Sequence, residues 1–193
     1  MPIQCLDDPA TILQKELCLS ALSKDLGGTL QLTDSKTHQC HTPSCKTLKT
    51  VHVLKVQAAS HAPCDSHAGQ LLNGTIVVER LVTAFDQDGM HRGFHAGDFV
   101  WQGSPGTQVI GRMSGVTNVG THRAPAFNDC QKCDDKGVME GRLCGQIAST
   151  SHPALNGCQV MADYRIKFDP GVAGGQGAVR GTLEGVIICS CQQ

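Results

Sequence analysis

The sequence predicts an all-β protein, an antiparallel meander closed as a barrel of about eight strands, with a short N-terminal helix. Three observations carry that prediction: segments that alternate apolar and polar residues, turn signals at short intervals between them, and a glycine motif that recurs inside them. The motif is glycine, three residues, glycine, written GFHAG (93–97), GRMSG (111–115), GRLCG (141–145) and GTLEG (181–185). Alternation marks strands with one buried face. Short connections between such strands favour a meander, as a barrel or a sandwich, and the barrel is the architecture expected here.

The elements follow in order. Residues 8–25 open at Asp8-Pro9, place Ile12, Leu13, Leu17, Leu19 and Leu22 at mixed three- and four-residue spacings, and stop at Gly27-Gly28. That pattern predicts the helix, within an N-terminal helical segment 1–30. Strands are expected at 50–57, 74–85, 93–103, 107–117, 137–147, 158–168 and 178–189, separated by turn material such as Asp86-Gln87-Asp88-Gly89 and Gly103-Ser104-Pro105-Gly106. The stretches 37–70, around its one strand, and 118–136 carry clustered cysteines and histidines and read as loops, where function commonly sits on a rigid scaffold. At 193 residues the chain is long enough for one domain, 1–193, with a sizeable core.

Two glycines four apart in a strand lie on one face, with the middle residue between them. On that face stand His95, Met113, Leu143 and Leu183, joined by His91, Phe99, Trp101, Val109, Met139, Ile147, Val179 and Ile187; the strand at 158–168 contributes Tyr164 among apolar neighbours. The other face carries Arg112, Glu140, Arg142, Arg180 and Glu184, a cross-strand ladder if it is wet and an anionic-ligand lumen if the faces are inverted. Glycine in a strand costs entropy and packing, so its repetition on an inward face needs a reason. One reason is curvature and close backbone approach; the other is room for an apolar ligand.

The segment GGQGAVRGTLEG (174–185) resembles the GGTG-F-x-G-A-x-G pattern of the allene oxide cyclase-like and dirigent-like β-barrels, with Gln176 in place of Thr and Val179 in place of the aromatic. The resemblance implies an eight-stranded antiparallel barrel whose apolar interior binds a hydrophobic small molecule and steers its cyclisation or coupling. It transfers no acid or base onto a position of this sequence.

The expected function is therefore binding of a small hydrophobic molecule in the interior, with isomerase- or cyclase-like chemistry on it. His95 and Tyr164 are the candidate catalytic groups; His91, Phe99, Trp101, Met113, His122, Leu143 and Leu183 are the candidate ligand contacts. His95 suits general acid–base work. His91, His95 and His122 also raise a catalytic zinc, although two histidines four apart on one strand stand about 13 Å apart, too far to share an ion without a bulge.

Sixteen basic against seventeen acidic residues give no electrostatic case for nucleic acid or an anionic membrane as partner. The start, MPIQCLDDPATILQ, lacks a secretory pattern and no apolar run is long enough to span a membrane, so the chain reads as cytoplasmic. Homo-oligomerisation is left open. Eleven cysteines, an odd number, suit metal sites or redox work in a reducing compartment and staples in an oxidising one. Cys130-x-x-Cys133 with Cys189-x-Cys191 is a candidate four-thiolate zinc site, which would make the protein a zinc-stabilised structural or interaction module without catalysis. A looser cluster, His38, Cys40, His41, Cys45, Cys64 and His67, is a second candidate for an ion.

Overall fold

The computed structural model describes residues 19–39, 46–61, 65–86, 92–118, 137–168 and 176–190. Eight antiparallel strands follow one another around a closed barrel in chain order: β1 (Leu19–Gln39), β2 (Lys46–Ser60), β3 (Gly74–Asp86), β4 (Arg92–Gln102), β5 (Gln108–Asn118), β6 (Gly137–Ser149), β7 (Gln159–Phe168) and β8 (Gln176–Ile188). β8 pairs with β1 and closes the ring. Every strand is paired on both sides, which removes the exposed edges an open sheet would leave. A four-residue helix, α1 (His67–Gln70), lies between β2 and β3.

The first strand differs from the expectation. Over 19–30 the expected helical segment is replaced by β1, which continues to Gln39 where no strand was expected, while residues 1–18 lie outside the described residues. Leu22, Leu26 and Leu30 all point into the core. Residues four apart share a face in a helix and in a strand alike, so their spacing alone does not separate the two. Pairing does: Leu26 faces Ala58 on one side and Gly181 on the other, and without this strand the barrel would not close.

Alternation elsewhere holds as read. Phe99, Trp101, Met113, Met139, Leu143, Ile147, Tyr164, Val179, Leu183 and Ile187 are buried. Arg142 pairs with Asp163 at 2.8 Å and Arg165 with Glu140 at 2.8 Å on the exposed outer face, which settles the ladder against the inverted lumen. Such exposed pairs fix register and solubility more than stability.

The lumen has two unlike ends. At the first, α1, Leu72 and Leu155 join the core, and a disulfide ties Cys158, just before β7, to Cys189, just after β8. Inside this end lies Lys24, fully buried. Its ammonium donates to the Asp65 carboxylate, to the Gly69 carbonyl at 2.6 Å, to Asn73 Oδ1 at 2.9 Å and to Ser60 Oγ at 3.3 Å. Asp65 in turn accepts the Ser23 backbone N–H at 3.1 Å. Ser66 caps α1 by accepting from the Gly69 N–H at 2.9 Å, and donates to the Ala21 carbonyl at 2.6 Å. The network pins α1 to β1. At the second end the strands are joined through 40–45, 87–91, 119–136 and 169–175, which lie outside the described residues.

Candidate functional site

Paired residues traced across the sheet, from Thr50 through Thr83, His95, Gly115, Gly141, Tyr164, Leu183 and Lys24, return to β2 at Ser60, ten residues from the start. That row explains the glycine motif. His95 on β4 and Tyr164 on β7 are three strands apart, roughly 14 Å along a sheet. Between them on the same row stand only Gly115 and Gly141. With no side chains in the way, the two rings reach across two strands and hydrogen bond, His95 Nε2 to Tyr164 Oη. The neighbouring row repeats the device: Phe99, Gly111, Gly145 and Val160 are paired in turn, and the Phe99 ring lies where a Cβ on either glycine would be.

Five inward glycines are thus beds for rings: Phe99 covers Gly111 and Gly145, Tyr164 covers Gly141, Phe85 covers Gly93 and Phe168 covers Gly137, whereas Gly97, Gly181 and Gly185 lie against aliphatic side chains or backbone. This is the geometric reading of the motif, in which aromatic neighbours cover bare backbone. A Cβ at Gly141 would sit 2.6 Å from Tyr164 Oη and 2.1 Å from the Ser114 carbonyl oxygen. We expect Gly141→Ala to cost about 1–3 kcal/mol and to break the His95–Tyr164 bond. At Gly27 a Cβ meets nothing within 4 Å, so Gly27→Ala should be tolerated. Paired urea titrations, with the His95 imidazole followed by NMR, check both.

A second group of buried polar residues, apart from the Lys24 network, stands at the second end. Thr50 and His52 on β2, Thr83 on β3, His95 on β4 and Thr117 on β5 are all buried, on four consecutive strands. Thr50, Thr83 and His95 are direct cross-strand partners. Thr117 sits opposite Gly93, and its Oγ1 lies 2.8 Å from His95 Nδ1. Burial pushes the His95 imidazole down to about 4 and the Tyr164 phenol up, so both are neutral near pH 7. A neutral ring donates through one nitrogen and accepts through the other, so Tyr164 and Thr117 take opposite roles toward it. His52, also held to about 4 by burial, meets Thr50 Oγ1 through Nε2 at 2.8 Å. Its Nδ1 is buried with no hydrogen-bond partner among the described residues.

Of the expected site residues, His95 and Tyr164 meet directly, and Phe99, Trp101, Met113, Leu143 and Leu183 all line the core. His91, His122, Cys130, Cys133 and Cys191 lie outside the described residues. Cys189 is bonded to Cys158, which corrects its assignment to a four-thiolate zinc set. In the looser cluster, His38 pairs with Thr47 at the start of β2 whereas His67 follows its far end, so those two do not converge; Cys40, His41, Cys45 and Cys64 lie outside the described residues. Among the described residues no group of three or more His, Cys, Asp or Glu is placed to hold a metal ion. No described helix is long and apolar enough to cross a membrane. Sequence reasoning missed Thr50, His52, Thr83 and Thr117. The run TVHVLKVQ carries Val51 and Val53 on one face and His52 and Leu54 on the other, so neither face stood out as the inner one.

No protein-family profile matches the chain, and no curated protein or solved structure matches it.

Proposed function

We propose that the protein binds a small hydrophobic molecule inside the barrel, at the polar second end, and that the His95–Tyr164 pair acts on it by moving a proton. One observation carries the reading: at the second end, away from the Lys24 network, the barrel interior holds a contiguous sector of buried hydroxyls and neutral imidazoles on four adjacent strands. Buried polar groups cost stability when a well-packed apolar core would serve the fold, so their concentration beside a Tyr–His pair points to use. The rings seated on the glycines shift the expected ligand position. It lies toward Thr117 and His52 rather than against Met113, Leu143 and Leu183.

The chemistry suits an isomerase or cyclase. Tyr164 supplies a proton to a ligand oxygen and His95 Nε2 takes one back, with no net change in charge or oxidation level. The similarity of GGQGAVRGTLEG to the allene oxide cyclase-like and dirigent-like barrels is in keeping with this reading. The Cys158–Cys189 bond fits an oxidising compartment better than the cytoplasm.

Native mass spectrometry of the protein as isolated tests the proposal. We expect one apolar small molecule per chain, removable by organic extraction. A protein that carries none, and that after extraction takes up no member of a panel of neutral apolar probes, would overturn it.

A further inference from the structure

Among the described residues, the buried His52 Nδ1 is the one polar side-chain atom at the second end without a hydrogen-bond partner. In the same sector His95 uses both ring nitrogens, one on Thr117 and one on Tyr164. His52 is only 8% exposed, so water does not readily answer for the missing partner. It stands on the inner face of β2, flanked by Thr50 and Leu54, both buried.

From this we infer, resting on the binding function proposed above, that the ligand is a neutral carbonyl compound, an apolar body whose carbonyl oxygen accepts a hydrogen bond from His52 Nδ1–H. Three steps lead there. The buried Thr50 hydroxyl has His52 Nε2 as its hydrogen-bond partner, at 2.8 Å. Donation by Thr50 leaves Nε2 an acceptor and places the ring proton on Nδ1, which then needs an acceptor oxygen that the described residues do not supply. A carboxylate is disfavoured, because His52 and His95, the buried imidazoles among the described residues, are held neutral and buried Lys24 is committed to Asp65 at the opposite end. An alkane or alkene would leave the Nδ1–H as unpaired as before. A ketone, aldehyde or ester answers it without bringing in charge.

The inference gives His52 a role distinct from that of His95. His52 recognises and orients the ligand; His95, with Tyr164, exchanges a proton with it.

Two measurements test this. In the unmodified protein, nitrogen-15 NMR of the imidazoles should show His52 as the Nδ1–H tautomer, and the Nε2–H tautomer would overturn the donor assignment. Binding is then compared for 2-nonanone, nonane and nonanoate. We expect 2-nonanone to bind roughly tenfold tighter than nonane, the equivalent of one net hydrogen bond, and nonanoate to bind most weakly. His52→Phe should bring 2-nonanone down to the affinity of nonane while leaving nonane within about twofold of its original value, the scale of a small packing change. Equal affinity for ketone and alkane, tightest binding of nonanoate, or an equal loss for both in His52→Phe overturns the carbonyl assignment but leaves interior binding standing. No binding of any of the three, by a protein that carries no resident molecule, overturns the binding function itself.

Discussion

Lys24→Met is expected to destabilise the protein by about 3–5 kcal/mol, the scale on which removing one partner from a buried ion pair acts. The side chains of Lys24 and Asp65 are 0% and 2% exposed, so the carboxylate left behind would have neither cation nor water around it. Desolvation pulls the Lys24 ammonium below its usual range while Asp65 holds it up, which is the balance expected of a charge retained in the interior only by its partner. The loss is also conformational. Gly69 and Asn73 take their hydrogen bonds from the same ammonium, so α1 loses its anchor to β1 together with the ion pair. Urea unfolding of the single variant and of Lys24→Met combined with Asp65→Asn separates the two parts. The pair of changes should recover a substantial share of the loss, since it removes the stranded charge but not the loosening of α1. A single-variant cost under about 1 kcal/mol would mean that the pair contributes no more than an exposed one.

The second large effect is acid lability above pH 4. His52 and His95 are both held to about 4 by burial, against an ordinary value of 6.5. Above pH 6.5 both states carry neutral imidazoles and the full stability is present. As pH falls from about 6.5 to about 4, the unfolded chain binds protons that the native lumen refuses, so stability falls with pH across that window. Each histidine contributes roughly 3 kcal/mol to the loss by its lower end. His61 works in the opposite sense, since its bond to Asp25 holds it above its usual value, but it is exposed and its effect is screened. Urea midpoints measured from pH 7.5 to 4.5 should decline steeply in the natural protein and much less in the His52→Gln, His95→Gln double variant. A flat profile in the natural protein would show that these imidazoles are not buried in solution.

The strand alternation was legible at the level of single residues. Reading His95, Met113, Leu143, Leu183 and Tyr164 onto one face needed only the two-residue period, and all five are buried. The charges on the opposite face paired as the alternation implied, Glu140 with Arg165 and Arg142 with Asp163. The glycine motif was legible as a feature of an inward face but not as a purpose. In GRMSG and GRLCG it clears a path for a ring anchored on another strand, and which strand that is depends on register, whereas in GTLEG the glycines admit neighbouring backbone.

From β4 to β8 local pattern determined which segments are strands and which face is oily, because burial of one face imposes a period that can be read along the chain. Pairing decided the rest. Whether Leu22, Leu26 and Leu30 belong to a helix or to the closing strand, whether Cys189 joins Cys130 and Cys133 at an ion or bonds Cys158, and whether His95 touches Tyr164 sixty-nine residues away are all fixed by contacts between segments distant in sequence. A four-residue spacing, a thiol or an imidazole is locally compatible with several partners. Only the closed barrel, by setting every strand's register at once, selects among them.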